Sequence, residues 1–176
     1  MSFNNGVCMK RILLIGLVLL SFASSKAQFD LSLTAFGNAF LQGLAAGEQK
    51  QLDALWVSEQ DVLPTMQAAG ATKEQQDREI AIFRSQRRRM EALYASSYKK
   101  LMEDFKGKDL SKATLVEVRR TKELVEPLEP GTVDKTDLLL IFNVMDEQYV
   151  LKLDGALKCV SGWRFIAKFY LDSLDH

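Results

Sequence analysis

The chain has 176 residues, with 23 Lys and Arg against 23 Asp and Glu, two Cys and a single His, His176. That length suits one domain, and 47% apolar with 26% charged residues excludes the disordered and fibrous classes. Zero net charge supplies no field for nucleic-acid binding, and one His leaves nothing from which to build a His-based triad or a multi-His metal site.

Lys10 and Arg11 precede an apolar run from Ile12 to Leu20 that only Gly16 interrupts, and Ser25 and Ala27 then sit at −3 and −1 of a cleavage before Gln28. The run is about half of the ~20 residues a bilayer span needs. Residues 1–27 therefore read as a secretory signal peptide, with Met9 as an alternative start. Cys8 lies before the apolar run, so no lipobox is present, and the expected location is secreted or periplasmic with no stable membrane span. Cleavage removes Lys10, Arg11 and Lys26 but no acid, leaving a mature charge of −3. Cys159 is then the one remaining thiol, so no internal disulfide can form, and the 28–176 domain must rest on its core.

The helical half comes first. Leu33, Phe36, Phe40 and Leu44 recur at three and four, which predicts a helix over 29–46. Gly37 and Gly43 weaken it but permit close approach of a neighbour. A short helix is expected over 48–57, with Leu52, Leu55 and Trp56. A third follows Ser58, carries Val62, Leu63 and Met66, and is bent or shortened by Pro64. Thr72 and Gln75 form a capping box that opens a long helix to about Phe105, with Gly107 as its stop. Its apolar stripe is Ile80, Phe83, Met90, Leu93, Tyr94, Leu101 and Phe105. Such a helix is about 51 Å long, against roughly 38 Å for the diameter of a globule of this size. Residues 73–79 carry no apolar side chain, so the first two turns are expected to project.

After Lys112 the period becomes two. The first strand is predicted over 113–125, with Thr114, Val116 and Val118 on one face and Glu117 and Arg119 on the other. A loop containing Pro130 and Gly131 follows. The second strand, 137–145, is apolar on both faces, as a central strand is. After an Asp146-Glu147 turn, the third strand, 148–160, points Tyr149, Leu151, Leu153, Leu157 and Cys159 inward, and Lys152, Asp154 and Lys158 outward. Ser161-Gly162 reads as the next turn. The fourth strand, 163–171, turns Trp163, Phe165, Ala167 and Phe169 inward and Arg164 and Lys168 outward. Helices followed by an antiparallel four-stranded meander make an α+β fold, with helices on one sheet face.

The tail from Tyr149 to Cys159, its tight turn, and the following Gly162-Trp163-Arg164-Phe165 resemble the closing hairpin of NTF2-like (cystatin-like) domains. The helical half, with Asp61 to Met66 before a long charged helix, is similar to uncharacterised secreted proteins of the Bacteroidetes type. The resemblance implies a curved meander closed on a helix. That superfamily includes isomerases, dehydratases, transport factors and binding modules, so it does not fix an activity.

Several residues invite a chemical reading. Arg84, Arg87, Arg88 and Arg89 offer an anion or lipid-headgroup patch, but Arg87 and Glu91 are spaced as a helical ion pair, which favours a solvated face. Cys159 has no His partner and shares strand parity with Leu153 and Leu157, so it reads as an inert core thiol. Tyr149 and Trp163 read first as core aromatics and second, with Asn143, as the lining of a ligand pocket; Trp56 is similar. An acid/base enzyme of the ketosteroid-isomerase kind needs an inward carboxylate. Glu117 and Asp154 point outward by parity, and only Asp137 and Asn143 remain as inward candidates. Any metal would be held by carboxylates, as Ca²⁺ or Mg²⁺ is, and no EF-hand spacing occurs, so neither a metal nor a cofactor is expected. The leading expectation is an exported, non-catalytic module that binds a small apolar ligand or an envelope protein. The alternatives are an isomerase- or dehydratase-like acid/base enzyme with its pocket between the long helix and the sheet, and a structural interaction module of the envelope.

Overall fold

The computed structural model describes residues 32–122 and 128–172; residues 1–27, expected as a signal peptide, and residues 123–125 of the expected first strand lie outside them. The chain forms helix α1 (32–45), a 3-10 segment Gln49–Leu55, α2 (Glu59–Ala68) and α3 (Lys73–Asp104). A short 3-10 turn Leu110–Lys112 then leads into β1 (Ala113–Arg120), β2 (Lys135–Val144), β3 (Glu147–Cys159) and β4 (Gly162–Asp172). The strands make one antiparallel sheet in the order β1-β2-β3-β4. The fold is α+β.

The main core lies on one sheet face, beneath α1. Leu33, Phe36, Phe40 and Leu44, the stripe read from the sequence, are all buried there with Leu138, Leu140, Phe142, Leu151 and Leu153. Phe40 meets Phe165 and Phe169 edge-on, at centroid distances of 5.5 and 5.3 Å. Such pairs add about 0.5–1.5 kcal/mol each beyond burial. Both helix glycines sit at close approaches. A Cβ on Gly37 would lie 2.5 Å from Val118 Cγ2, and one on Gly43 would collide with Leu52.

Helix α3 packs against β4, the edge strand, and sends Tyr94 and Leu101 into the core. It is about 48 Å long at 1.5 Å per residue. Its capping box is formed: Gln75 N donates to Thr72 Oγ1 (3.3 Å) and Thr72 N to Gln75 Oε1 (2.7 Å). The free edge of β4 is occupied. Val57 N donates to Phe165 O (3.0 Å), Trp56 Nε1 to Ile166 O (2.5 Å), and Phe169 N to Ser97 Oγ (3.4 Å). Exposed strand edges invite aggregation, and this one is covered.

Two bulges change the expected parity. In β1 the register shifts between Leu115 and Glu117, so Leu115 and Val118 turn toward α1 while Val116 is 53% exposed and Thr114 is exposed. In β3, Asp154 and Gly155, the latter with φ +87°, stand against Asp137 alone in β2. Ala156 takes the inner place, and Leu157 moves to the opposite face. A bulge adds one extra residue to one strand, so the side chains beyond it change face relative to a regular count.

Other boundaries shift slightly. The segment expected as a helix over 48–57 is a 3-10 turn. Both hairpin turns fall one residue early, at Met145-Asp146 and Val160-Ser161, because Val144 pairs with Glu147 and Cys159 with Gly162. Leu93, assigned to the apolar stripe of α3, is 38% exposed, and Leu63 is 36% exposed.

Candidate functional site

Beyond the main core, α2 and the N-terminal half of α3 lean over the outward face of the β3–β4 hairpin. A second, smaller apolar cluster forms there: Val57, Met90 and Ala167 are buried, with Val62, Phe83, Leu157 and Ile166 packed around them half-buried. The cluster does not close. It floors a cleft of about 320 Å³, within the range of ~300–1,000 Å³ for small-molecule sites. Ile82, on its wall, is 42% exposed.

The rim is polar. Gln75, Arg78, Glu79 and Gln86 border the cleft from α3, and Lys135 from the start of β2. Residues 73–79 therefore do not simply project. Gln75 and Gln76 are half-buried, and Gln76 Nε2 donates to Ala71 O (2.8 Å). Their lack of apolar side chains makes them a rim rather than a floor.

Three ties hold the walls in place. Arg84 donates twice to the Glu59 carboxylate, Nε to Oε1 at 3.0 Å and Nη2 to Oε2 at 2.7 Å, joining α3 to α2. Gly131 N donates to Ala69 O (2.7 Å), joining the loop before β2 to the α2–α3 turn. Asp61 clasps α2 to the β3–β4 turn: it accepts from Ser58 N (3.0 Å), Ser161 Oγ (2.9 Å) and Arg164 Nε (3.1 Å). Burial pushes the Asp61 carboxyl up. The Ser58 and Ser161 hydrogen bonds and the Arg164 charge outweigh it, so its pKa lies below the ordinary aspartate value. Arg164, read as an outward strand residue, thus serves as the partner of Asp61.

The four arginines of the basic cluster on α3 divide. Arg84 and Arg87 pair with Glu59 and Glu91. At the cleft rim the charges differ in kind: Arg78, Glu79 and Lys135 take part in no ion pair among the described residues.

The residues proposed from sequence as a pocket lining lie elsewhere. Tyr149 is half-buried, with Phe105 and Phe142 against its ring and its hydroxyl on Glu147. Trp163 is 2% exposed in the main core, with the Arg120 guanidinium 5.4 Å from its ring. Asn143 is half-buried on the outward face, where its Oδ1 accepts from Gln148 Nε2 (3.5 Å). None of the three borders the cleft. Asp137 accepts from Gly155 N (2.9 Å), so its carboxylate holds the β3 bulge. Cys159 is buried, but the bulge places it beside Thr65 of α2 rather than on the inner face with Leu153; burial pushes its thiol up.

Sequence reasoning missed two features. One is the buried bidentate pair of Arg120 with Asp134, at 2.7 and 2.6 Å. Arg120 and Asp134 are 13% and 8% exposed, and a charge at the end of a strand gave no sign of this. The other is the cleft, whose signal was available: Ile82 stands just off the stripe of α3, next to Phe83, where it widens the apolar face.

Among the described residues no cluster of three metal-ligating side chains occurs, and no helix is long and apolar enough to cross a membrane. Comparison with known protein families, curated proteins and solved structures finds no match.

Proposed function

We propose that the protein is an exported NTF2-like (cystatin-like) module that binds an apolar ligand without transforming it. The observation that carries this reading is the framed cleft with half-exposed aliphatic and aromatic side chains on its floor. Apolar area left in water costs roughly 25 cal/mol per Å², and a ligand that covers it recovers that free energy. The lining offers one carboxylate, Glu79, and no hydroxyl, thiol or imidazole, which supports binding over catalysis. Helices preceding a bulged, four-stranded antiparallel meander support the NTF2-like assignment.

The export part rests on the Lys10-to-Ala27 pattern and is tested by N-terminal mass analysis of protein recovered from cells. Gln28 is the expected first residue, and an intact Met1 or Met9 terminus would refute it. The binding part is tested with an apolar fluorophore such as N-phenyl-1-naphthylamine. Saturable enhancement is expected, and Ile82→Glu should abolish it. Ile82 is exposed enough that the substitution should change stability by no more than about 0.5 kcal/mol. Equal enhancement by the variant, or none by either protein, would overturn the reading.

A further inference from the structure

The cleft has two chemically different ends. Along α3 its lining runs from Gln75, Arg78 and Glu79 to Ile82, Phe83 and finally Met90. Residues 78 and 90 are about 18 Å apart along the helix axis. The polar end faces the loop and strand start that supply Gly131 and Lys135, and Lys135 lies in register with Leu157 of the floor. The apolar end is closed by Val57 and Met90, both buried. Arg78 stands one turn from Ile82, on the same side of the helix.

The polar end carries two cations, Arg78 and Lys135, and one acid, Glu79, and none of these is in an ion pair among the described residues. Farther along α3, Arg84 is matched by Glu59 and Arg87 by Glu91, while Arg88 and Arg89, away from the cleft, are in no ion pair among the described residues. Unmatched cations from two different elements at one mouth of an apolar trough complement a molecule with an aliphatic tail and an anionic head.

We infer that the cleft takes a single-chain anionic amphiphile, its tail along Ile82, Phe83 and Ile166 and its head between Arg78 and Lys135. This rests on the binding function proposed above and adds the charge and orientation of the ligand. Glu79, beside the head, opposes it and limits affinity. Exposed ion pairs are individually weak, so two cations should favour an anionic head by about fivefold over a neutral one of equal chain length. That preference should shrink as salt rises.

The test is a calorimetric titration of the purified protein with decanoate, decanol and decyltrimethylammonium, below their aggregation limits. Decanoate is expected to bind about fivefold tighter than decanol, and decyltrimethylammonium weakest. The double variant Arg78→Gln/Lys135→Gln should bring decanoate to the level of decanol and leave decanol unchanged. Glu79→Gln should tighten decanoate. Equal binding of decanoate and decanol, or tighter binding of the cation, would overturn the headgroup assignment while leaving an apolar site in place. Failure of all three probes to bind would remove the binding function itself. A double variant that weakened decanol equally would show that the two side chains act on the shape of the cleft and would also overturn the assignment.

Discussion

Trp163 shows how much one side chain contributes to this fold. It is 2% exposed and lies in the main core. Its truncation removes buried area and leaves a cavity, so Trp163→Ala should cost about 3–5 kcal/mol in equilibrium urea unfolding. A loss below about 1.5 kcal/mol would mean that water already reaches the ring. Asp61 makes a different prediction. Its pKa is lowered in the folded protein, so its contribution is present above the unfolded value of about 3.9 and is lost as pH falls through the folded pKa. Asp61→Asn should therefore destabilise the protein at pH 7, and the gap to wild type should close as pH falls below about 4. A gap independent of pH would show that the clasp does not depend on the charge. The burial of Trp163 was legible because it alternates onto the core face of β4 with Phe165 and Phe169. The role of Asp61 was not, since its partners Ser161 and Arg164 lie a hundred residues away in the chain.

At the scale of elements, local chemistry wrote the helices clearly. The capping box at Thr72, the stop near Gly107 and the stripe of α1 all sit where the residues place them. The bounds of β3 and β4 were legible to within a residue, whereas β1 stops at Arg120, short of the 125 expected, β2 begins two residues before 137, and side-chain faces in β1 and β3 were not legible. The physical reason is the bulge: Gly155 fits the positive φ that one requires, yet a lone glycine in a strand does not announce a register shift. The helix glycines are plainer. Gly37→Ala should gain up to about 1 kcal/mol of helix propensity, but the added methyl would press on Val118 and Leu115. Overpacking of this kind costs about 1–3 kcal/mol, so the net effect should be a loss of about 1 kcal/mol, read as a lower thermal midpoint. A raised midpoint would show that α1 stands farther from β1 than these contacts require.

For the whole molecule, the sheet has one face given to the main core and one corner given to the cleft. The bulge in β3 connects the two, because it turns Leu157 away from the core and onto the cleft floor. A parity argument carried straight through Gly155 puts Leu157 inside, and so directs any search for a pocket to Tyr149, Trp163 and Asn143. The cleft is thus a consequence of register and of the two helices that frame it, neither of which a single sequence states. The central claim, that this corner of the molecule receives an apolar chain, is open to a direct test. Residues 28–176 hold four isoleucines: Ile80, Ile82, Ile141 and Ile166. Ile82 and Ile166 border the cleft, while Ile141 lies in the middle of β2 between Glu117 and Val150. In a decanol titration followed by isoleucine-methyl NMR, the signals of Ile82 and Ile166 should shift together with one binding constant while Ile141 stays fixed. Shifts led by Ile141, or spread equally over all four methyls, would contradict the account.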